Sequence, residues 1–228
     1  MIQGVAKNET LRKQLLDYAK REWKGQRVTI IHDSEESAQA QSIVQRFPNA
    51  QKVDATANSN RLLEVLTQKM DTVNSNWVFV ETANLKTASS VASILSSQLR
   101  FSGHIRLWSP LYTNAFDNEV IDFKQLSDLT YTTSAVQEPL TFVSWGSQYF
   151  AEWAKYPDKI AVRGYDSVMF AVLQLSGLST SSPEGQKFFE WAGVTHPFTM
   201  VQDPRGHQVN QGFVLISLKD MEWQVIGR

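Results

Sequence analysis

Between Asn8 and Trp108, short β-branched or apolar runs alternate with helix-like segments, with almost no linker between them. This alternation restricts the chain more than any other feature. Parallel strands need a crossover connection, and a right-handed crossover that carries a helix packs back onto the sheet. Residues 8–23 form an amphipathic segment with Leu11, Leu15, Leu16 and Ala19 on one face, ended by Gly25. Val28-Thr29-Ile30-Ile31-His32 is a run of the kind buried on both faces of a parallel sheet, and Asp33 and Ser34 behind it can cap a helix over residues 35–47. The unit recurs as strand 51–54, helix 60–70, strand 77–80, helix 87–100 and strand 105–108. A further strand at 129–133 follows a polar, irregular stretch at 114–128. The pattern predicts an α/β domain built on a doubly wound parallel sheet.

The second half reads differently. Helices are expected at 142–155 and 162–175 with no strand between them. A shorter helix is expected at 183–191, with Pro183 in its first turn. The Ser- and Thr-rich residues 179–182 read as a loop. The tail returns to extended structure at 198–201, turns at Asp203-Pro204-Arg205-Gly206, and closes with strands at 212–218 and 223–226, a C-terminal β-hairpin. The expected organisation is an α/β lobe over 1–135, a helical segment over 136–200, and a hairpin over 201–228 that completes the lobe.

Composition removes several function classes. The 22 basic and 23 acidic residues leave a net charge of −1, and the densest basic stretch is the mixed Lys20-Arg21-Glu22-Trp23-Lys24, so a nucleic-acid partner is not expected. The absence of cysteine removes thiol catalysis, disulfides and thiolate metal sites. Residues 1–24 are polar and amphipathic and do not read as an export signal. Apolar runs reach about five residues, against the roughly 18 of a membrane helix, so no membrane span is expected. Neither G-x-G-x-x-G nor G-x-x-x-x-G-K-[ST] occurs, which argues against a nucleotide cofactor. No G-x-S-x-G elbow occurs either, and Ser147 sits in a helical pattern. His32, His104, His196 and His207 lack metal-site spacing, and Glu35-Glu36 suits a helix start. No cofactor, metal or catalytic residue is expected.

In a doubly wound sheet, ligands sit beyond the carboxyl ends of the strands. That rule selects His32, Asp33 and Ser34 after one strand, Glu81, Thr82 and Asn84 after another, and Ser109, Pro110 and Tyr112 after a third. Two readings are open: these loops line a ligand cleft, or Asp33 and Ser34 are helix caps and Glu81 a solvated loop acid. Trp145, Tyr149, Phe150, Trp153 and Tyr156 recur at helical spacing. Such a stripe is either core or an interface.

The order of elements resembles the type 1 periplasmic binding protein family: the amino-acid and amide substrate-binding components of ABC transporters and related extracellular ligand-binding receptors. Arg27-Val28-Thr29-Ile30-Ile31-His32-Asp33 is similar to the strand that opens the family's second lobe. Trp77-Val78-Phe79-Val80-Glu81, followed by a helix ending Gln98-Leu99-Arg100-Phe101-Ser102-Gly103, resembles its next segment. Gly164-Tyr165-Asp166-Ser167-Val168 resembles a helix-opening Tyr-Asp-Ala motif. Residues 206–215 with Asp220-Met221-Glu222-Trp223 are similar to the closing hairpin.

The resemblance implies a non-catalytic, ligand-binding domain of the periplasm or cell envelope, recognising a small polar molecule such as an amino acid or peptide. Asp33, Ser34, Glu81, Thr82, Asn84 and Ser109 are the expected ligand-binding residues. It also implies partners such as an ABC permease or a cell-wall protein. Some proteins of this fold instead carry peptidoglycan-binding modules or regulate cell-wall synthesis, which gives the alternative of a regulatory or structural module with a vestigial cleft. Ser34-Glu35-Glu36-Ser37 stands where the family usually has an aromatic-glycine pair. The family's opening lobe has no counterpart here, so a fragment of a longer protein, or a reduced fold that dimerises through the aromatic helix at 145–153, is expected.

Overall fold

The computed structural model describes residues 2–33, 38–55, 59–98, 104–110, 116, 121, 128–135, 142–176 and 187–227. The chain divides into two compact units, Arg12–Thr132 with Leu215–Ile226, and Thr133–Val214 with Met1–Leu11 and Gly227–Arg228.

The first of these units is built on a seven-stranded sheet. In chain order its elements are α1 (Asn8–Glu22, whose first residues belong to the other unit), β2 (Arg27–His32), α2 (Ala38–Arg46), β3 (Gln51–Asp54), α3 (Ser59–Lys69), β4 (Asn76–Glu81), α4 (Leu85–Gln98), β5 (Ile105–Ser109) and β6 (Thr130–Thr133), with β10 (Val214–Lys219) and β11 (Glu222–Gly227) from the end of the chain. A two-residue strand, β1 (Ile2–Gln3), precedes α1. The sheet order is β11-β10-β6-β5-β4-β2-β3, and the pairs β3·β2, β2·β4, β4·β5 and β5·β6 are all parallel. After β3 the chain passes over β2 to form β4, so the strand order reverses between β2 and β4. The doubly wound parallel sheet expected from the sequence is present.

The two faces of the sheet have different cores. On one, Ile31, Val53, Val78, Val80 and Leu107 pack with Leu62 and Leu66 of α3 and with Val91 and Leu95 of α4. On the other, aromatic rings mesh: Phe47 lies 5.3 Å from Phe79, Phe79 is 5.8 Å from Trp108, and Trp77 is 4.7 Å from Trp108. Tyr18 and Trp23 of the α1 region extend this cluster to Trp108 and Phe47. Strand alternation places Phe79 and Val80 on opposite faces, which is why β4 is an uninterrupted apolar run. Polar contacts tie α1 to α2, through Arg46 to Asp17 at 3.0 Å and Lys20 Nζ to the Arg46 carbonyl at 2.8 Å.

The other unit carries a four-stranded sheet ordered β1-β9-β8-β7, formed by β7 (Lys187–Ala192), β8 (Pro197–Gln202) and β9 (Gln208–Asn210) with β1. Its helices are α5 (Phe142–Trp153) and α6 (Lys159–Leu175). Two expectations are corrected here. The helix expected over 183–191 is a strand from Lys187 onward, and 183–186 lie outside the described residues. Phe189 is buried, Glu190 is exposed, and Trp191 stacks on Phe198 at 5.4 Å, a period of two that the aromatic content obscured. The tail is also not one hairpin. Residues 197–202 and 208–210 pair antiparallel in the small sheet, while β10 and β11 join the large one. The two-residue connection Asp220-Met221 has both φ angles positive, at 50° and 67°, as a tight hairpin turn requires.

Two buried polar side chains organise this smaller unit. Asn210 bonds four backbone groups: its amide oxygen accepts from Thr199 and Gly212 N–H at 2.9 and 2.7 Å, and its amide nitrogen donates to the Gly4 and Pro197 carbonyls at 2.9 and 3.0 Å. Asp166, 1% exposed, lies within α6, which opens earlier than its Tyr-Asp motif suggested, at Lys159 with Asp158 as N-cap. The Asp166 carboxylate accepts backbone N–H bonds from Val194 (2.7 Å), Thr195 (2.8 Å) and His196 (3.0 Å) and the Thr195 hydroxyl at 2.8 Å, holding the turn between β7 and β8. Gly193 is required there, because a Cβ would lie 2.6 Å from the His196 carbonyl oxygen and 2.8 Å from Asp166 Oδ1. Burial alone would push the Asp166 carboxyl up, but the bonds from His196, Thr195 and Val194 outweigh it and hold the group below the usual carboxylate range. A depressed carboxylate contributes stability that is present above its unfolded value and lost as pH falls through the lower folded one. Asp166→Asn is therefore expected to cost about 1–3 kcal/mol at pH 7 by urea denaturation, with the gap from wild type closing below pH 4.

Candidate functional site

In doubly wound sheets the carboxyl ends of the strands at a strand-order reversal are where ligands sit, and here that reversal falls between β2 and β4. Register sets what stands there: His32 pairs with Glu81 across β2 and β4, His32 with Asp54 across β2 and β3, and Ser109 with Tyr131 across β5 and β6. Glu81 and Ser109 therefore end adjacent strands of one sheet edge.

The side chains there form two polar groups, one around Thr82 and one around Glu81. The Thr82 hydroxyl donates to Asp33 Oδ2 at 2.5 Å and accepts from the Asn84 N–H at 3.0 Å. Asn84 is exposed, and its side-chain oxygen accepts from Lys86 and Thr87 N–H at 2.9 and 3.3 Å, which makes it the N-cap of α4. Glu81 is ion-paired with Arg12, and the Arg12 guanidinium also donates to the Gln39 carbonyl at 2.8 Å. Their side chains are 6% and 14% exposed, so Glu81 is not the solvated loop acid that one reading of the sequence allowed. Burial pushes the Glu81 carboxyl above its ordinary value, while the hydrogen bond and charge of Arg12 and the charge of His32 offset part of that rise. His32 is 1% exposed, and its Nδ1 has no partner among the described residues. Asp33 is half-buried, whereas Ser109 is fully buried.

Asp33, Glu81, Thr82 and Asn84 thus come together, with Ser109 along the same edge and deeper. Ser34 and Tyr112 lie outside the described residues. Arg12 was not among the expected residues. Its signal was present, since position 12 falls on the same helical face as Leu15, Leu16 and Ala19, at i+3, i+4 and i+7. A charged residue on a buried stripe needs a buried partner.

The fold is that of the type 1 periplasmic binding proteins, with α/β lobes on doubly wound sheets. An ABC transporter substrate-binding protein from Desulfitobacterium hafniense, solved in complex with Leu, superposes with a TM-score of 0.58 at 14% identity, covering 99% of this chain and 67% of that one. A solute binding protein of an ABC transporter from Rhodopseudomonas palustris HaA2, in complex with p-hydroxybenzoic acid, gives 0.51 at 14% identity over 97% of this chain and 64% of that one. Full-length LpoA from Haemophilus influenzae gives 0.51 at 7% identity, covering 97% of this chain and 39% of that one. No family model matches the sequence, and no curated relative matches it. Among the described residues, no helix is long and apolar enough to cross a membrane.

The Arg12 and Glu81 pair generates a double-mutant test. Arg12→Met leaves a buried carboxylate unpaired and is expected to cost about 3–5 kcal/mol in urea unfolding. Adding Glu81→Gln should recover a large part of that loss, because the remaining carboxamide has no charge to desolvate.

Proposed function

We propose that this chain is a non-catalytic recognition domain of the bacterial periplasm or cell envelope, binding a small polar molecule such as an amino acid or peptide at the carboxyl ends of β2 and β4. The observation that carries this reading is the placing of two polar pairs, Asp33 with Thr82 and Glu81 with Arg12, at the ends of neighbouring strands where the strand order reverses. Their chemistry is that of contact. Thr82 holds the Asp33 carboxylate in place and Arg12 neutralises Glu81, so Asp33 is the charged acceptor that the group offers. Glu81 and Ser109 would support this surface from beneath. On this reading an ABC permease is the natural partner. Screening amino acids, short peptides and muropeptides by thermal shift is expected to find a ligand that raises the melting temperature, with the rise abolished in Asp33→Ala. Silence across all of them, or a rise undiminished in Asp33→Ala, contradicts the reading.

A second reading has its own observation. Trp153, Tyr156, Ile160 and Leu175 of the α5 and α6 region are 63%, 66%, 80% and 88% exposed, an apolar surface of the kind that marks an interaction site. Trp145 and Tyr149 of α5 lie 5.4 Å apart with their rings tilted at 43°. It suits a regulatory or structural module, associated with peptidoglycan or its synthesis, that dimerises or docks a cell-wall protein through α5. Sedimentation over a concentration series should then show a dimer that Trp153→Glu returns to monomer, and a monomer at every concentration argues against self-association.

A further inference from the structure

At the opposite edge of the seven-stranded sheet, before β2, β3 and β4 begin, a cavity of about 510 Å³ opens among polar side chains, including Lys24, Arg27, Asn49, Gln51 and Asp71. The side-chain oxygen of Gln26 is taken by the Lys24 N–H at 2.6 Å, and that of Gln51 by Lys69 Nζ at 3.0 Å, so each presents its amide N–H groups. Asp71 is the acid of the wall, and its carboxylate is already occupied. Oδ1 accepts from Val73 and Asn74 N–H, both at 2.8 Å, and Oδ2 from the Asn74 amide at 3.1 Å. These bonds, that of the Asn74 backbone foremost, hold Asp71 at a pKa of about 2, so it stays ionised and committed to its own turn. Arg27 donates one nitrogen to the Lys69 carbonyl at 2.9 Å, and its charge also helps to hold Asp71 ionised. Lys24 has no ion-pair partner among the described residues. Gly25, with φ at +95°, turns the chain so that Lys24 and Arg27 flank one opening.

Two cations and the Gln26 and Gln51 amides thus line one opening, beside an Asp71 carboxylate engaged by its own turn. We propose that this pocket binds an oxyanion, the carboxylate or phosphate of a small polar molecule, held by the Arg27 fork and the Lys24 ammonium with the Gln26 and Gln51 amides. The complement to such a donor set is a group with several accepting oxygens and a negative charge. The size falls within the range of small-molecule sites, so the anion can carry an organic body. The site lies at the edge of the sheet opposite the polar group proposed for recognition and does not depend on it.

The test is an NMR titration of the ¹⁵N-labelled chain with inorganic phosphate and, separately, acetate, with ionic strength held constant by chloride. The proposal expects saturable shifts of the Lys24, Gly25 and Gln51 amides with at least one of them. Phosphate alone or acetate alone then names the headgroup. Lys24→Gln and Arg27→Gln should each weaken binding by about ten-fold or more, as the loss of one charge-assisted hydrogen bond requires. Because Lys24 is exposed and unpaired among the described residues, its variant tests binding without disturbing the fold. Shifts that stay linear, that chloride alone reproduces, or that saturate equally in Lys24→Gln overturn the proposal.

Discussion

The parallel pairing of β2 with β4, from Arg27 against Asn76 to His32 against Glu81, is the constraint on which the larger unit rests. It joins strands that are not consecutive in sequence and forces the chain to pass over β2, which creates the strand reversal. It aligns Ile31 with Val80 on the aliphatic face and Ile30 with Phe79 on the aromatic one. The same register fixes His32 beside Glu81 at the carboxyl edge, where Arg12 from α1 is drawn in to meet the buried acid. A slip of one residue would turn both faces over and separate every polar contact at that edge.

The polar edge is organised by mutual satisfaction. A buried carboxylate is costly unless paired, and each acid here has a specific answer: a guanidinium for Glu81, a hydroxyl for Asp33. In the smaller unit Asp166 gathers backbone N–H groups, and at the amino edge Asp71 is closed off by its own turn. The amino edge gathers Lys24 and Arg27 around one opening, while the carboxyl edge carries the Asp33 carboxylate. Two ends of one sheet therefore present different chemistry.

Much of the larger unit was legible because its signals are local. Val28 to His32 and Trp77 to Val80 are apolar runs of strand length, and the Gln51 to Asp54 strand fell at its expected bounds. The strand-end rule then picked out Asp33, Glu81, Thr82 and Asn84 without knowledge of which strands are neighbours. What could not be read is what depends on distant contacts. Lys187 to Ala192 has a pattern short enough to pass for a helix, and only its pairing with β8 makes it a strand. The partnership of Arg12 with Glu81 spans most of the first half of the chain, so neither residue reveals it alone. The split of the tail between two sheets is likewise set by tertiary pairing, with Asn210 as the anchor on one side.

Hydrogen-deuterium exchange with and without a pool of amino acids and short peptides tests most directly whether the strand-reversal edge is where this chain meets its ligand. The account predicts slowed exchange in the peptides that contain Asp33 and Thr82 to Asn84, with the β7 to β9 sheet unchanged. Unaltered exchange at both segments, or protection confined to regions away from the ends of β2 and β4, would contradict it.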